Sequence, residues 1–268
     1  MKALLILTCS IIVYTVGCQK DEGPTSFESG GTRIIQGAFP SISPDGSKIA
    51  YSRGGQILIN SINGNNETRL SSSQYGDYGP VWSADGNKIA FVRTMQGIIT
   101  FYREGQTYSL VMAIDLQTNK IVTLEPFDTT ANYFYQTQTS PIWCPTNDKV
   151  AYLNDSLEYG SLRIIQSDGS GLVLDDYASV VSFCWSPDGS QFICSLNPSG
   201  IYKGTVGQSN LVQISPRNNP YSLTWSSITN TIGYIIGQDS LIFLDVASQK
   251  ETIIKHTFNL SSVRLSKM

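Results

Sequence analysis

The chain has 268 residues, 18 Lys and Arg against 21 Asp and Glu, a formal net charge of −3, and only 15% charged residues. That balance leaves no basic footprint for nucleic acid, so no nucleic-acid partner is expected. The polar remainder is rich in Tyr, Ser, Thr and Asn, which suits a β-rich exported protein.

Met1-Lys2 is a short positive start and residues 3–16 are apolar. Such a run is too short for a comfortable membrane span and reads as a cleaved export signal. Thr15-Val16-Gly17-Cys18 places small residues just before a cysteine, the lipobox pattern in which residues 1–17 are removed and Cys18 becomes the lipidated first residue. An ordinary signal ending near Cys18 is the alternative. Gln19-Lys20-Asp21-Glu22 resembles the surface-export signal of Bacteroidota lipoproteins; outward display and periplasmic retention both remain open. Residues 18–31 read as the lipidated cysteine and a flexible tether, with a reach of roughly 20 Å. A multiply acylated anchor would hold the protein at the outer membrane.

From residue 32 the chain is a repeat. Trp82, Trp143, Trp185 and Trp225 lie 61, 42 and 40 residues apart, and 40-residue steps outward reach Ile42 and Leu265. Each tryptophan, and Ile42, precedes a turn-forming stretch: Ser43-Pro44-Asp45-Gly46, Ser83-Ala84-Asp85-Gly86, Cys144-Pro145-Thr146-Asn147, Ser186-Pro187-Asp188-Gly189 and Ser226-Ser227-Ile228-Thr229. Eight positions after the Ser or Cys stand Tyr51, Phe91, Tyr152, Cys194 and Tyr234. In the first unit, strands are expected at 48–52, 56–60 and 67–70, after a strand ending at Ile42-Ser43 and separated by Gly and Asn turns. Four short antiparallel strands per period of about 40 make one propeller blade. A lone blade buries too little to offset its ordering entropy, so blades must stack and close.

Ser43-Pro44-Asp45-Gly46-Ser47-Lys48-Ile49-Ala50-Tyr51, with Ile57-Leu58-Ile59-Asn60 and Asn63 to Leu70, resembles the TolB-type propeller repeat, as does the stretch 162–171. The resemblance covers residues 33–268 and implies an all-β fold of four-stranded antiparallel blades. It is weak for function, because propellers host binding, scaffolding and enzymatic roles. TolB carries an α/β domain ahead of its propeller; nothing of that size precedes the repeats here, so the expectation is a TolB-like propeller, not TolB proper. Five repeats are complete, while 32–36 resembles an outer strand and 262–266 an inner one. We expect six blade positions with the last abbreviated; a five-blade ring is the alternative.

In such a ring the loops between second and third strands, and those joining blades, share one face. The spacing from Trp82 to Trp143 exceeds the period by 21 residues. The excess falls at 93–108, read as a loop between strands, and at 127–140, read as an inter-blade segment. Both lie on that face. They carry Phe101, Tyr102, Arg103, Glu104 and Tyr108, then Phe127, Asp128, Tyr133, Phe134 and Tyr135. Neighbouring loops add Tyr75, Asp77 and Tyr78 on one side and Asn154, Asp155, Glu158 and Tyr159 on the other. Aromatic rims edged by amides and carboxylates suit glycans or peptides. The competing reading is that these rings fold back to cap the blades.

An enzyme reading has less behind it. The one histidine, His256, is expected on an outer strand far from the insertions, and no G-x-S-x-G elbow occurs. Paired carboxylates drawn from Asp77, Asp128, Asp155, Glu158 and Asp239 could hydrolyse a glycosidic bond if they converged. Asp45, Asp85, Asp168 and Asp188 read instead as turn residues. No zinc spacing is present, and neither metal nor cofactor is expected. Cys144, Cys184 and Cys194 read as buried thiols, although Cys184 and Cys194 share a hairpin and could pair. The sequence thus predicts a non-enzymatic envelope lipoprotein that contacts the membrane through its anchor. Its loop-rich face binds a glycan, peptide or envelope protein; a carboxylate-dependent, glycan-active propeller is the alternative.

Overall fold

The computed structural model describes residues 37–71, 75–96, 107–124, 136–137, 140–146, 148–155, 161–174, 180–197, 199–208, 210–237 and 240–255. In the first repeat, β1 (Ala38–Ile42), β2 (Lys48–Arg53), β3 (Gln56–Ser61) and β4 (Thr68–Arg69) form an antiparallel sheet in chain order. The β1–β2 turn is built from its own side chains. Ser43 Oγ donates to Asp45 Oδ1 at 2.6 Å, and the same oxygen accepts from the Ser47 amide at 3.0 Å. Gly46 completes the turn at φ 72°. Those hydrogen bonds, the Ser43 hydroxyl's above all, hold the Asp45 carboxyl down to about 2. The arrangement recurs at Ser83 and Asp85 and at Ser186 and Asp188, both at 2.6 Å, so these aspartates are turn residues.

The other repeats follow the same plan. The second sheet is β5 (Gly76–Trp82), β6 (Lys88–Gln96), β7 (Thr107–Asp115) and β8 (Ile121–Thr123). The third holds β9 (Gln136–Thr137), β10 (Ile142–Trp143), β11 (Lys149–Asp155), β12 (Ser161–Gln166) and β13 (Leu172–Leu174), with β9 and β10 both along β11. The fourth is β14 (Val180–Trp185), β15 (Gln191–Leu196), β16 (Gly200–Thr205) and β17 (Leu211–Ser215). The fifth is β18 (Pro220–Trp225), β19 (Thr231–Ile236), β20 (Ser240–Asp245) and β21 (Glu251–Lys255). All described strands are antiparallel within these five sheets.

Four apolar cores lie between successive sheets. Ala50 and Ile57 of the first meet Trp82 and Phe91 of the second. Val111 and Leu124 meet Trp143 and Tyr152 of the third. Leu162 and Ile164 meet Trp185 and Phe192 of the fourth. Ile193 and Ile201 meet Tyr234 and Ile242 of the fifth. Each large side chain so buried contributes about 1.5–3 kcal/mol, and these face-to-face contacts supply what one sheet cannot.

The tryptophans bind one sheet to the last. Trp82 Nε1 donates to the Ser41 carbonyl at 3.0 Å, Trp143 Nε1 to Val81 at 2.8 Å, and Trp185 Nε1 to Ile142 at 3.2 Å. Every acceptor is the residue just before the tryptophan-equivalent position of the preceding sheet, so the contact repeats with the period. These three indoles are 6–7% exposed. The tryptophan-equivalent positions do not all share this depth. Ile42 is 61% exposed, because among the described residues no sheet precedes the first to receive it, and Trp225 is only half-buried. The segments expected to make a sixth blade position, 32–36 and 262–266, lie outside the described residues, as does His256.

The cysteine question is settled by pleat. Cys194 is cross-strand partner to Phe183, and Cys184 to Ile193. Cys194 therefore faces the third sheet and Cys184 the fifth, on opposite sides of sheet four, and the two cannot pair. All three described cysteines are free thiols, and burial pushes the Cys194 thiol up to about 12.

Candidate functional site

One end of each sheet carries the starts of the inner strands β1, β5 and β18 and the turns between second and third strands. At that end β1, β5 and β18 each hold one extra residue against their partner, with register jumps between Ala38 and Ser41, Tyr78 and Val81, and Tyr221 and Thr224. The bulged residues, Phe39, Gly79 and Ser222, have φ of 55°, 64° and 59°. Bulges re-aim the side chains beside them. A signal exists for two of them: Pro40 and Pro80 each stand three positions before the motif Ser, whereas the position equivalent to them in β18 is Leu223. Proline cannot donate to a ladder and is confined to edges and bulges. Glycine at 79 leaves room for the next sheet, since a Cβ there would meet Ser140 Oγ at 2.7 Å.

Phe39 is the unusual member. A bulky side chain at positive φ costs on the order of 1–3 kcal/mol, and such strain clusters at binding sites. Its ring is 41% exposed and lies 5.9 Å from that of Tyr78 at 45°. The two rings bridge the first and second sheets.

The residue before Tyr78 in β5 belongs to a buried ion pair. Arg93 Nε donates to Asp77 Oδ1 at 2.7 Å and Nη2 to Oδ2 at 2.9 Å. Asp77 is 1% exposed, and its amide donates to the Gly55 carbonyl of the first sheet at 2.9 Å. The Arg93 guanidinium also sits 5.6 Å from the Phe91 ring centre. Asp77 is thus a positioning residue inside β5 rather than a loop carboxylate. With both oxygens taken by one guanidinium and no solvent access, it cannot serve as a hydrolytic acid or base.

Both insertions are partly strand, which corrects the expected loops. The β6–β7 ladder continues through Thr94↔Ser109, Met95↔Tyr108 and Gln96↔Thr107, so the connection is 97–106 rather than 93–108. Arg93 and Asp77 therefore root a hairpin longer than its counterparts in the other sheets. Gln136 and Thr137 already pair with Asp155 and Asn154, so the third sheet begins within the segment expected to be inter-blade. Tyr108 and Asp155 are ladder residues. Tyr75, Asp77 and Tyr78 come together at the start of β5. Cys18, Phe101, Tyr102, Arg103, Glu104, Phe127, Asp128, Tyr133, Phe134, Tyr135, Glu158, Tyr159 and Asp239 lie outside the described residues. Among the described residues no three His, Cys, Asp or Glu gather as metal ligands do.

The result is exposed Phe39 against half-buried Tyr78, with a neutralised ion pair next along β5 and the long hairpin beside them. It offers an apolar surface with no local net charge, which fits the apolar face of a sugar ring or a peptide side chain.

No protein-family model matches the chain. The chain is 32% identical over 118 residues to the uncharacterized protein Atu1656 of Agrobacterium fabrum, spanning 42% of this chain and 38% of that protein. Among solved structures it resembles an oligogalacturonate lyase in complex with manganese, with TM-score 0.62, 16% identity, and 80% of this chain on 63% of that one. It also resembles the oligogalacturonate lyase of Vibrio parahaemolyticus, with TM-score 0.60, 13% identity, and 82% of this chain on 65% of that one. TolB of Acinetobacter baumannii aligns with TM-score 0.53 and 15% identity, 84% of this chain on 55% of that one. The chain therefore spans less than two thirds of each of these proteins, and at such identities the likeness is one of fold. That fold is an all-β propeller of four-stranded antiparallel sheets, TolB-like in its repeats.

Proposed function

We propose that this chain is a lipid-anchored envelope propeller that binds a glycan through the face bearing Phe39, Tyr78 and the β6–β7 hairpin, without turnover of its own. The observation that carries this is Phe39, held at φ 55° with its ring exposed against Tyr78. The repeated bulge accounts for the positive φ, as at Gly79 and Ser222, but not for a bulky aromatic there, which a binding platform does account for. The anchor and the envelope location rest on residues 1–31 of the sequence, and a protein partner on the same face fits the same chemistry.

The test is a glycan array, with oligogalacturonates included because two structural neighbours are lyases named for them. The wild-type chain is expected to retain at least one glycan class. Joint Phe39→Ala and Tyr78→Ala substitution should weaken it by about tenfold, the equivalent of 1.4 kcal/mol, while the chain stays folded, because Phe39 is 41% exposed and Tyr78 only half-buried. Retention unchanged by the double substitution would refute the platform. A second reading, a carboxylate-dependent glycan-active enzyme, is favoured only by the lyase neighbours. Cleavage of an arrayed glycan by the wild-type chain would establish it over ours.

A further inference from the structure

Sheets four and five part company at their outer edges. Tyr234, Ile242 and Ile253 are direct cross-strand partners across β19, β20 and β21, so all three stand on the face that packs against sheet four. Tyr234 and Ile242 are 0% and 1% exposed, yet Ile253 is 46% exposed. The packing stops before the edge strand. A cavity of about 630 Å³ opens there, between the chain from Ile214 to Asn218 on one side and Ile236, Gln249 and Glu251 on the other.

The walls of this wedge are pinned. Glu251 Oε1 accepts from Tyr234 Oη and Ser215 Oγ, each at 2.8 Å, and Oε2 accepts from Arg217 Nε at 2.7 Å. Arg217 Nη2 reaches the same Oε2 at 2.7 Å. Burial opposes ionisation of Glu251, but these donors outweigh it and hold the carboxyl below its ordinary value. In the first sheet the equivalent Tyr51 and Glu67 also bond, with Arg53 of that same sheet as the cation. In the fifth the cation comes instead from the connection leaving sheet four. That exchange ties the connection to the edge strand and roofs the gap.

The chemistry of the wedge narrows its occupant. The charges cancel, so it has no pull on phosphates or anionic lipid. Ile214 and Ile236 give an apolar floor, Ile253 stands beside it on the same face two residues along β21 from Glu251, and the amides of Asn218 and Gln249 match the donors and acceptors of a peptide group. Among the described residues β17 and β21 are edge strands, with Val212 52% and Ile253 46% exposed along them. Edge strands with exposed β-branched residues recruit extended chains.

We propose that this wedge is a second binding site, which takes an extended segment of a partner protein with one apolar side chain inserted onto the isoleucine floor. It is separate from the aromatic face and does not depend on it.

The test pans a random peptide library displayed on phage against the full chain, then measures synthetic copies of the enriched peptides by calorimetry. Peptides with an aliphatic or aromatic anchor should be enriched and bind at roughly micromolar Kd. Asn218→Trp, which fills the mouth, and Ile253→Asp, which charges the exposed edge beside the floor, should each weaken them by about tenfold or more. Both residues are exposed, and far-ultraviolet dichroism checks that the variants fold. Phe39→Ala with Tyr78→Ala should leave these peptides bound. No enrichment, or binding indifferent to both wedge variants, would overturn the site. Peptides lost only with the Phe39 and Tyr78 pair would also overturn it, while leaving the aromatic face standing.

Discussion

Trp143→Ala is expected to lower the unfolding free energy by about 3–5 kcal/mol, the cost of emptying an aromatic site in a core that cannot collapse. The indole is 7% exposed between the second and third sheets. Both sheets supply backbone to that boundary, so neither can close the cavity without losing its own register. The substitution also strips the Val81 carbonyl of its donor, and Trp143→Phe separates the two effects. Phenylalanine keeps most of the packing and should cost about 1–2 kcal/mol, chiefly the hydrogen bond and some volume. Half-buried Trp225, replaced by alanine, should cost less than Trp143→Ala. Urea unfolding followed by circular dichroism gives all three values. A Trp143→Ala cost below about 1 kcal/mol would show that the indole does not join the sheets.

Asp77→Ala should be comparably severe, at about 3–5 kcal/mol, because it leaves the largely buried Arg93 guanidinium without its partner. Pairing is not what makes the site favourable in itself. The joint change Asp77→Ala and Arg93→Met should therefore recover most of the loss, since a buried pair can be replaced by apolar volume at little cost. The same variants carry a functional readout. Asp77 and Arg93 root the β6–β7 hairpin, so in the double variant ligand retention should fall more than stability does. Near-neutral Asp77→Ala in the same urea experiment would mean that the carboxylate is not locked in the ion pair.

The propeller was legible because its signals are local and repeated. A tryptophan at fixed register and a Ser-Pro-Asp-Gly turn each determine one short-range geometry, and repetition multiplies a weak signal. The turn aspartates followed from the same logic, as their hydrogen bonds run two or three residues along the chain. The proposed binding face was legible only as a place. Asp77 and Arg93 are 16 residues apart, and their meeting depends on the β5–β6 register beyond a bulge, which no local propensity encodes. Phe39 was missed for a related reason. Phenylalanine has no preference for positive φ, and only the tertiary context of Pro40 and the second sheet holds it there. The insertions were placed correctly in chain order but read as loops, because Thr94-Met95-Gln96 and Thr107-Tyr108 lack the apolar alternation that marks a covered strand. Ile42 shares the register of the tryptophans but is 61% exposed. Burial, unlike register, needs a neighbour.

Everything argued about the faces depends on sheets repeating around a common centre, each fastened to the one before through its indole. Hydrogen exchange of the indole N–H protons, followed by two-dimensional NMR in deuterated buffer, reads that directly. Three indole N–H signals, those of Trp82, Trp143 and Trp185, should exchange orders of magnitude more slowly than that of Trp225, because each is buried and donates to the preceding sheet. Four indoles exchanging together at solvent-like rates would contradict the stacked arrangement, and with it the assignment of both binding sites.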